Sequence, residues 1–186
     1  MCWLNGKKTP IFSVALLLAA VICSIVSCGY YMPPIPPEDL APEGVRNLKV
    51  DLTEKAVIFS WNSSEKDLRG KPLKDLKGYK VYKAKLEYLE ETLLDEDRFE
   101  KIADLKDTHL ETLRKLRKKA EAKGKSTRKL KAPKEETTFS VKDTKVEKGG
   151  IYIYRIVPYN TELESEKAAV FRITFFGPKS VVERIS

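Results

Sequence analysis

Residues 150–160 read GIYIYRIVPYN, and this stretch decides the fold. Tyr152, Tyr154 and Ile156 alternate with Ile153, Arg155 and Val157, which is the period-two pattern of a strand rather than the 3.6-residue pattern of a helix. It is the longest of several such runs, and the pattern is that of a half-buried strand. Lys148-Gly149-Gly150 marks a turn before it. Working outward, the same alternation recurs at 45–52, at 57–61 with Val57, Phe59 and Trp61 on one face, at 78–83, at 98–104, at 137–143 and at 169–175. Asn62-Ser63-Ser64 and the cluster Arg69-Gly70-Lys71-Pro72 read as turns between them. Seven short strands separated by turn signals predict an all-β, two-sheet antiparallel sandwich.

Several of these segments together resemble a fibronectin type III domain, an immunoglobulin-like sandwich. The resemblance is carried by PEGVRNLKV at 42–50, Phe59-Ser60-Trp61, GYKVYK at 78–83 and GIYIYRIVPYN at 150–160 ahead of ELESE at 162–166. It covers about residues 42–85 and 137–176. It implies that Trp61 packs the core, with Tyr79 on the third strand. It also implies that Tyr152 forms a tyrosine corner, its hydroxyl bonded to backbone upstream.

The span from 44 to 178 is longer than such a domain requires. The surplus lies in insertions at about 86–97 and 105–136. Residues 86–100 (LEYLEETLLDEDRFE) carry seven acids and one base. Leu86, Leu89 and Leu93 fall on one face of a predicted helix. Residues 106–134 carry twelve bases and three acids. From 107 to about 123 there is no Gly or Pro, and His109, Leu113, Leu116 and Ala120 share one helical face. Asp107 or Thr108 is placed to cap that helix and Gly124 to stop it. Lys125 to Glu135 has no periodicity and reads as a basic loop. Arg114, Lys115, Arg117, Lys118 and Lys119 are the candidate contacts to an anionic partner. The other readings are a solvated helix docked by its leucines, and pairing of the two charged insertions with each other.

The N-terminus sets location. Lys7 and Lys8 precede an uncharged run from Ile11 to Ser27, as in a secretory signal peptide at 1–27. Ile25-Val26-Ser27-Cys28 resembles the lipobox of bacterial lipoproteins, which implies cleavage before Cys28 and a diacylglyceryl group on its thiol. Residues 28–43 hold five prolines, Pro33, Pro34, Pro36, Pro37 and Pro42, and read as an extended tether. Residues 179–186 read as a C-terminal tail. The expected location is the cell envelope, lipid-anchored; in a Gram-negative cell, Gly29 after the cysteine resembles lipoproteins sent on to the periplasmic face of the outer membrane.

Composition bounds the chemistry. The net charge is +8 over 186 residues, and the three cysteines, Cys2, Cys23 and Cys28, all lie at the N-terminus. The processed chain would keep Cys28 alone, so no disulfide and no cysteine-based metal site is expected. His109 is the sole histidine. No catalytic residues, metal ligands or cofactor other than the covalent lipid on Cys28 are expected. The reading is therefore a lipid-anchored, non-catalytic binding or scaffold module at the cell envelope, meeting an envelope protein through its strand edges or basic insertion. The alternative is a binder of an acidic polymer through the basic helix within 106–134; a third is an accessory domain to a hydrolase. Nucleic acid is not expected, since the basic stretch lacks aromatics for base stacking, and neither is a small-molecule substrate.

Overall fold

The structure, a computed structural model, describes residues 34–88 and 96–185. The signal segment, residues 28–33 of the Pro-rich stretch including Cys28, and Leu89 and Leu93 lie outside the described residues. Among those described, no helix is long and apolar enough to cross a membrane.

Among the described residues eight strands form two antiparallel sheets: β1 (Arg46–Leu52), β2 (Val57–Asn62), β3 (Gly78–Leu86), β4 (Glu100–Lys106), β5 (Thr138–Asp143), β6 (Ile151–Tyr159), β7 (Ala169–Thr174) and β8 (Val181–Arg184). One sheet has the order β1-β2-β5 and the other β4-β3-β6-β7-β8. The first seven strands thus take the two-sheet arrangement of a fibronectin type III domain. The alternation read from the sequence is what fills the space between the sheets. Val57, Phe59 and Trp61 from one side meet Tyr79, Val81, Tyr154, Ile156, Phe171 and Ile173 from the other, all buried. Each pair of facing strands contributes every second residue, as the pleat dictates.

Four expectations are corrected. Leu86 is not part of a helix; it ends β3 opposite Ile151 and is buried. Residues 179–186 are not a free tail, because Val181–Arg184 pairs with β7 and Ile185 N–H donates to the Val170 carbonyl. The tether ends earlier than residue 43. Pro37–Leu40 forms a 3-10 turn, Ala41 and Pro42 are buried, and the Pro42 carbonyl accepts the Ser165 hydroxyl at 2.6 Å. Small apolar Ala41 and Pro42 fit against the 63–68 loop, which sequence periodicity could not reveal. The second insertion, too, starts at Asp107 rather than 105, since β4 extends to Lys106.

The two insertions leave β3 and β4 at opposite ends. Gly78 pairs with Lys106 beside the basic insertion, whereas Leu86 and Ile151 mark the end with the acidic one. At the acidic end the interior holds an ion pair. Lys83 lies 2.6 Å from Asp143 and donates to the Lys145 carbonyl at 2.5 Å, with its ammonium 4.5 Å from the Tyr152 ring centre. Tyr154 donates to the same Asp143 oxygen at 2.7 Å. Burial alone would push the Asp143 carboxyl up. The hydrogen bonds from Lys83, Tyr154 and the Lys145 N–H outweigh it and hold the group below its ordinary value of 3.8. Beside it, the Tyr152 hydroxyl accepts the Glu147 N–H at 2.9 Å, closing the turn that leads into β6.

Candidate functional site

At the other end, β2 stops at Asn62 and the chain needs fifteen residues to reach β3. That long connection is held by specific bonds. The Tyr79 hydroxyl accepts the Ser64 N–H at 2.8 Å, and its own ionisation is pushed above the usual phenol range by burial and by the Asp107 charge. Asp67 accepts the N–H groups of Arg69 and Lys71 and pairs with the Arg69 guanidinium at 2.7 Å. Burial would raise its carboxyl, but these partners win and lower it. Gly70 takes φ +74°, the left-handed turn that a Cβ would strain. Leu73 and Leu76 then drop into the core.

The insertion opposite begins at Asp107. Its carboxylate accepts the His109 N–H at 2.9 Å, lies 2.6 Å from His109 Nδ1, and accepts the Ser63 hydroxyl at 2.8 Å through its second oxygen. It thereby starts helix α1 (His109–Glu121) and ties it to the end of β2. His109 is buried, and Leu110 packs on the core. Helix α1 ends as expected near Gly124, at φ +63°. Replacing Asp107 with alanine is expected to cost about 1–3 kcal/mol, because a buried hydroxyl and a buried N–H lose their acceptor. Urea unfolding would measure it; a loss under about 0.5 kcal/mol would be within the range of an ordinary surface change and would contradict this role.

Between α1, the 62–74 loop and the returning segment 130–137 lies a groove of about 860 Å³. Its apolar lining comes from Leu73, Leu110, Leu113 and Leu130, with Ile35 half-exposed beside them. Arg46, Arg69 and Arg114 also line it, and each already has a protein partner: Glu65 at 2.5 Å, Asp67, and the Lys74 carbonyl. The side chains of Lys71, Lys74, Arg117 and Lys131 line the groove without an ion-pair partner among the described residues. Glu65 is the sole acid in the lining.

The structure therefore divides the five basic residues singled out by the sequence. Arg114 and Arg117 face the groove, whereas Lys115, Lys118 and Lys119 are exposed away from it. The helix leucines are only partly docked: Leu110 meets the core and Leu113 faces the groove. Lys71, Lys74 and Lys131 were not singled out. Lys71 sits in a turn signal and Lys131 in a stretch read as loop, so neither carries periodicity. Leu130 within that basic stretch was the available hint. Pairing of the two insertions is not seen among the described residues, where Glu96 of the acidic stretch pairs with Arg155 at 2.7 Å. Tyr82 and Tyr159 are engaged rather than free: they donate to Glu164 at 3.0 Å and Asp104 at 2.9 Å.

Ser63 donates to Asp107 rather than to His109, so these three side chains do not form a nucleophile activated by a base. Among the described residues no group of three His, Cys, Asp or Glu side chains is placed to hold a metal.

No family model and no curated protein matches the chain. Solved structures similar to it include the third fibronectin III domain of human KIAA0343 protein, at 13% identity and TM-score 0.36, over 83% of this chain and 90% of that one. A computationally redesigned β-sandwich protein aligns at 15% identity and TM-score 0.36, over 76% of this chain and 93% of that one. The twitchin kinase region from C. elegans aligns at 16% identity and TM-score 0.36, over 68% of this chain; the match spans 15% of that protein.

Proposed function

We propose that this chain is a non-catalytic binding module of the bacterial cell envelope, processed before Cys28, lipidated on that thiol, and holding an anionic partner in the groove beside α1. The observation that carries the reading is the groove itself: four cations without ion-pair partners around a leucine-lined hollow. Exposed Lys and Arg normally spread over a surface, and a monomer gains nothing by gathering uncompensated like charges at one mouth. An anion entering there meets charges whose own Coulomb repulsion it relieves. The lipobox-like Ile25-Val26-Ser27-Cys28 supports the anchor, and Gly29 supports the outer membrane.

A photo-crosslinking residue placed at Leu113 in cells is expected to trap a product, and the same residue at Lys101 on β4 to trap none. Reversing Lys74 and Arg117 to glutamate should remove that product. Radiolabelled palmitate should enter the chain and fail to enter Cys28→Ser. Equal crosslinking at both positions, insensitive to the reversals, overturns the groove; palmitate entry into the Cys28→Ser chain overturns the anchor.

The second reading, an acidic polymer bound along the helix, is favoured by the exposure of Lys115, Lys118 and Lys119 outside the groove. It predicts that reversing those three lysines, rather than Lys74 and Arg117, abolishes retention, with a steep dependence on salt.

A further inference from the structure

We infer that the groove takes a single anionic lipid, one acyl chain along its leucines and a phosphate or carboxylate head among its cations. This rests on the groove being the binding site and adds the class of its ligand. Three observations favour an amphiphile. The first is the pairing of surfaces. Leu73, Leu110, Leu113 and Leu130 offer hydrocarbon, which an acidic glycan or polyphosphate could not use, while Lys71, Lys74, Arg117 and Lys131 stand beside them. Burying a chain against such a lining removes apolar surface from water, and each lysine or arginine near an anionic head adds a Coulomb attraction.

The second is size. At about 860 Å³ the groove lies within the roughly 300–1,000 Å³ of sites that enclose one small molecule. A protein interface would instead spread over a broad surface of about 800 Å² on each partner.

The third is its place in the chain. Ile35 lines the groove and stands seven residues after Cys28. At about 3.4 Å per residue, a lipid on that thiol would keep this wall within roughly 25 Å of the bilayer surface. A single lipid leaving the bilayer would then find its charged head met by the rim and its chain by the leucines.

The test uses the full chain reconstituted in phosphatidylcholine vesicles and a lysophosphatidate with a photoreactive acyl chain. The expected result is covalent label on peptides from 71–77, 109–117 or 130–137. Unlabelled lysophosphatidate should compete at least tenfold better than monoacylglycerol of the same chain, which lacks the charge. It should also compete at least tenfold better than inorganic phosphate, which lacks the chain. Lys71→Glu with Lys74→Glu and Arg117→Glu should cut labelling at least tenfold. Leu113→Gln should do so with the charges intact, and circular dichroism of each variant checks its fold. Label on Lys118 and Lys119 in place of those peptides, or equal competition by monoacylglycerol or phosphate, overturns the inference. If lysophosphatidate does not label the groove while Leu113 still traps an acidic protein in cells, the lipid is excluded and the binding groove stands.

Discussion

Replacing Lys83 with methionine is expected to destabilise the domain by about 3–5 kcal/mol at pH 7, the range found when one member of a buried ion pair is removed. The size follows from what remains. Asp143 would keep the Tyr154 hydroxyl and the Lys145 N–H but lose the Lys83 ammonium, 2.6 Å away. The side chains of the pair are 10% and 5% exposed, so water cannot replace the ammonium without opening the end of the sandwich. The Tyr152 ring, over which the ammonium sits, would lose its cation as well. Changing both residues, Lys83→Met with Asp143→Asn, should recover part of the loss, because no buried charge is then stranded.

The pH dependence carries the opposite signature. In the parent chain the Asp143 carboxyl sits below 3.8, so its stabilisation is complete above that ordinary value and is lost as pH falls through the lower native value. The parent should therefore lose stability below about pH 4, while Lys83→Met loses less there and the two unfolding curves converge. Denaturant midpoints at pH 7 and at acid pH measure both effects. A Lys83→Met chain within about 1 kcal/mol of the parent at pH 7 would show the pair to be solvated.

The second large effect is expected at Trp61. Truncation to alanine should cost about 3–5 kcal/mol, a large share of the 5–15 kcal/mol that holds a domain together. Trp61 is 1% exposed and meets Tyr79 edge-on, with ring centres 5.6 Å apart, and Phe139 in a stack at 6.1 Å. Its removal leaves a cavity between two sheets whose backbones are held by their ladders and cannot close the gap. Phenylalanine should be much milder. The Trp61 indole N–H is buried without an acceptor, so losing that polar atom offsets part of the lost volume. If Trp61→Phe proved as costly as Trp61→Ala, an unseen partner for the indole N–H would be indicated.

Different parts of the molecule were legible for different reasons. Strand β2 was plain because burial of one face imposes a two-residue period on Val57, Phe59 and Trp61, and β6 because its unbroken run of β-branched and aromatic residues suits a strand buried on both faces. Strand β8 was not. All four of its residues are exposed, so its period has no buried face to mark it, and only pairing with β7 makes it a strand. Leu86 was misplaced because its neighbours Leu89 and Leu93 supply a helical spacing that the ladder to Ile151 overrides. The basic helix was visible as a charged stripe. That only two of its five singled-out cations share a groove with Lys71, Lys74 and Lys131 was not, since sequence distance says nothing about which loops a chain end brings together.

What the sequence determined by itself was the sandwich, its core aromatics and the uneven distribution of charge, because these depend on local spacing and on total composition. What the tertiary structure decided was where the charge can act. Asp107 ties α1 to Ser63, Tyr79 ties the 63–77 loop to the core, and the two walls so placed enclose leucines between unpaired cations. A groove is a relation between segments distant in the chain, and long-range hydrogen bonds, not periodicity, set that relation.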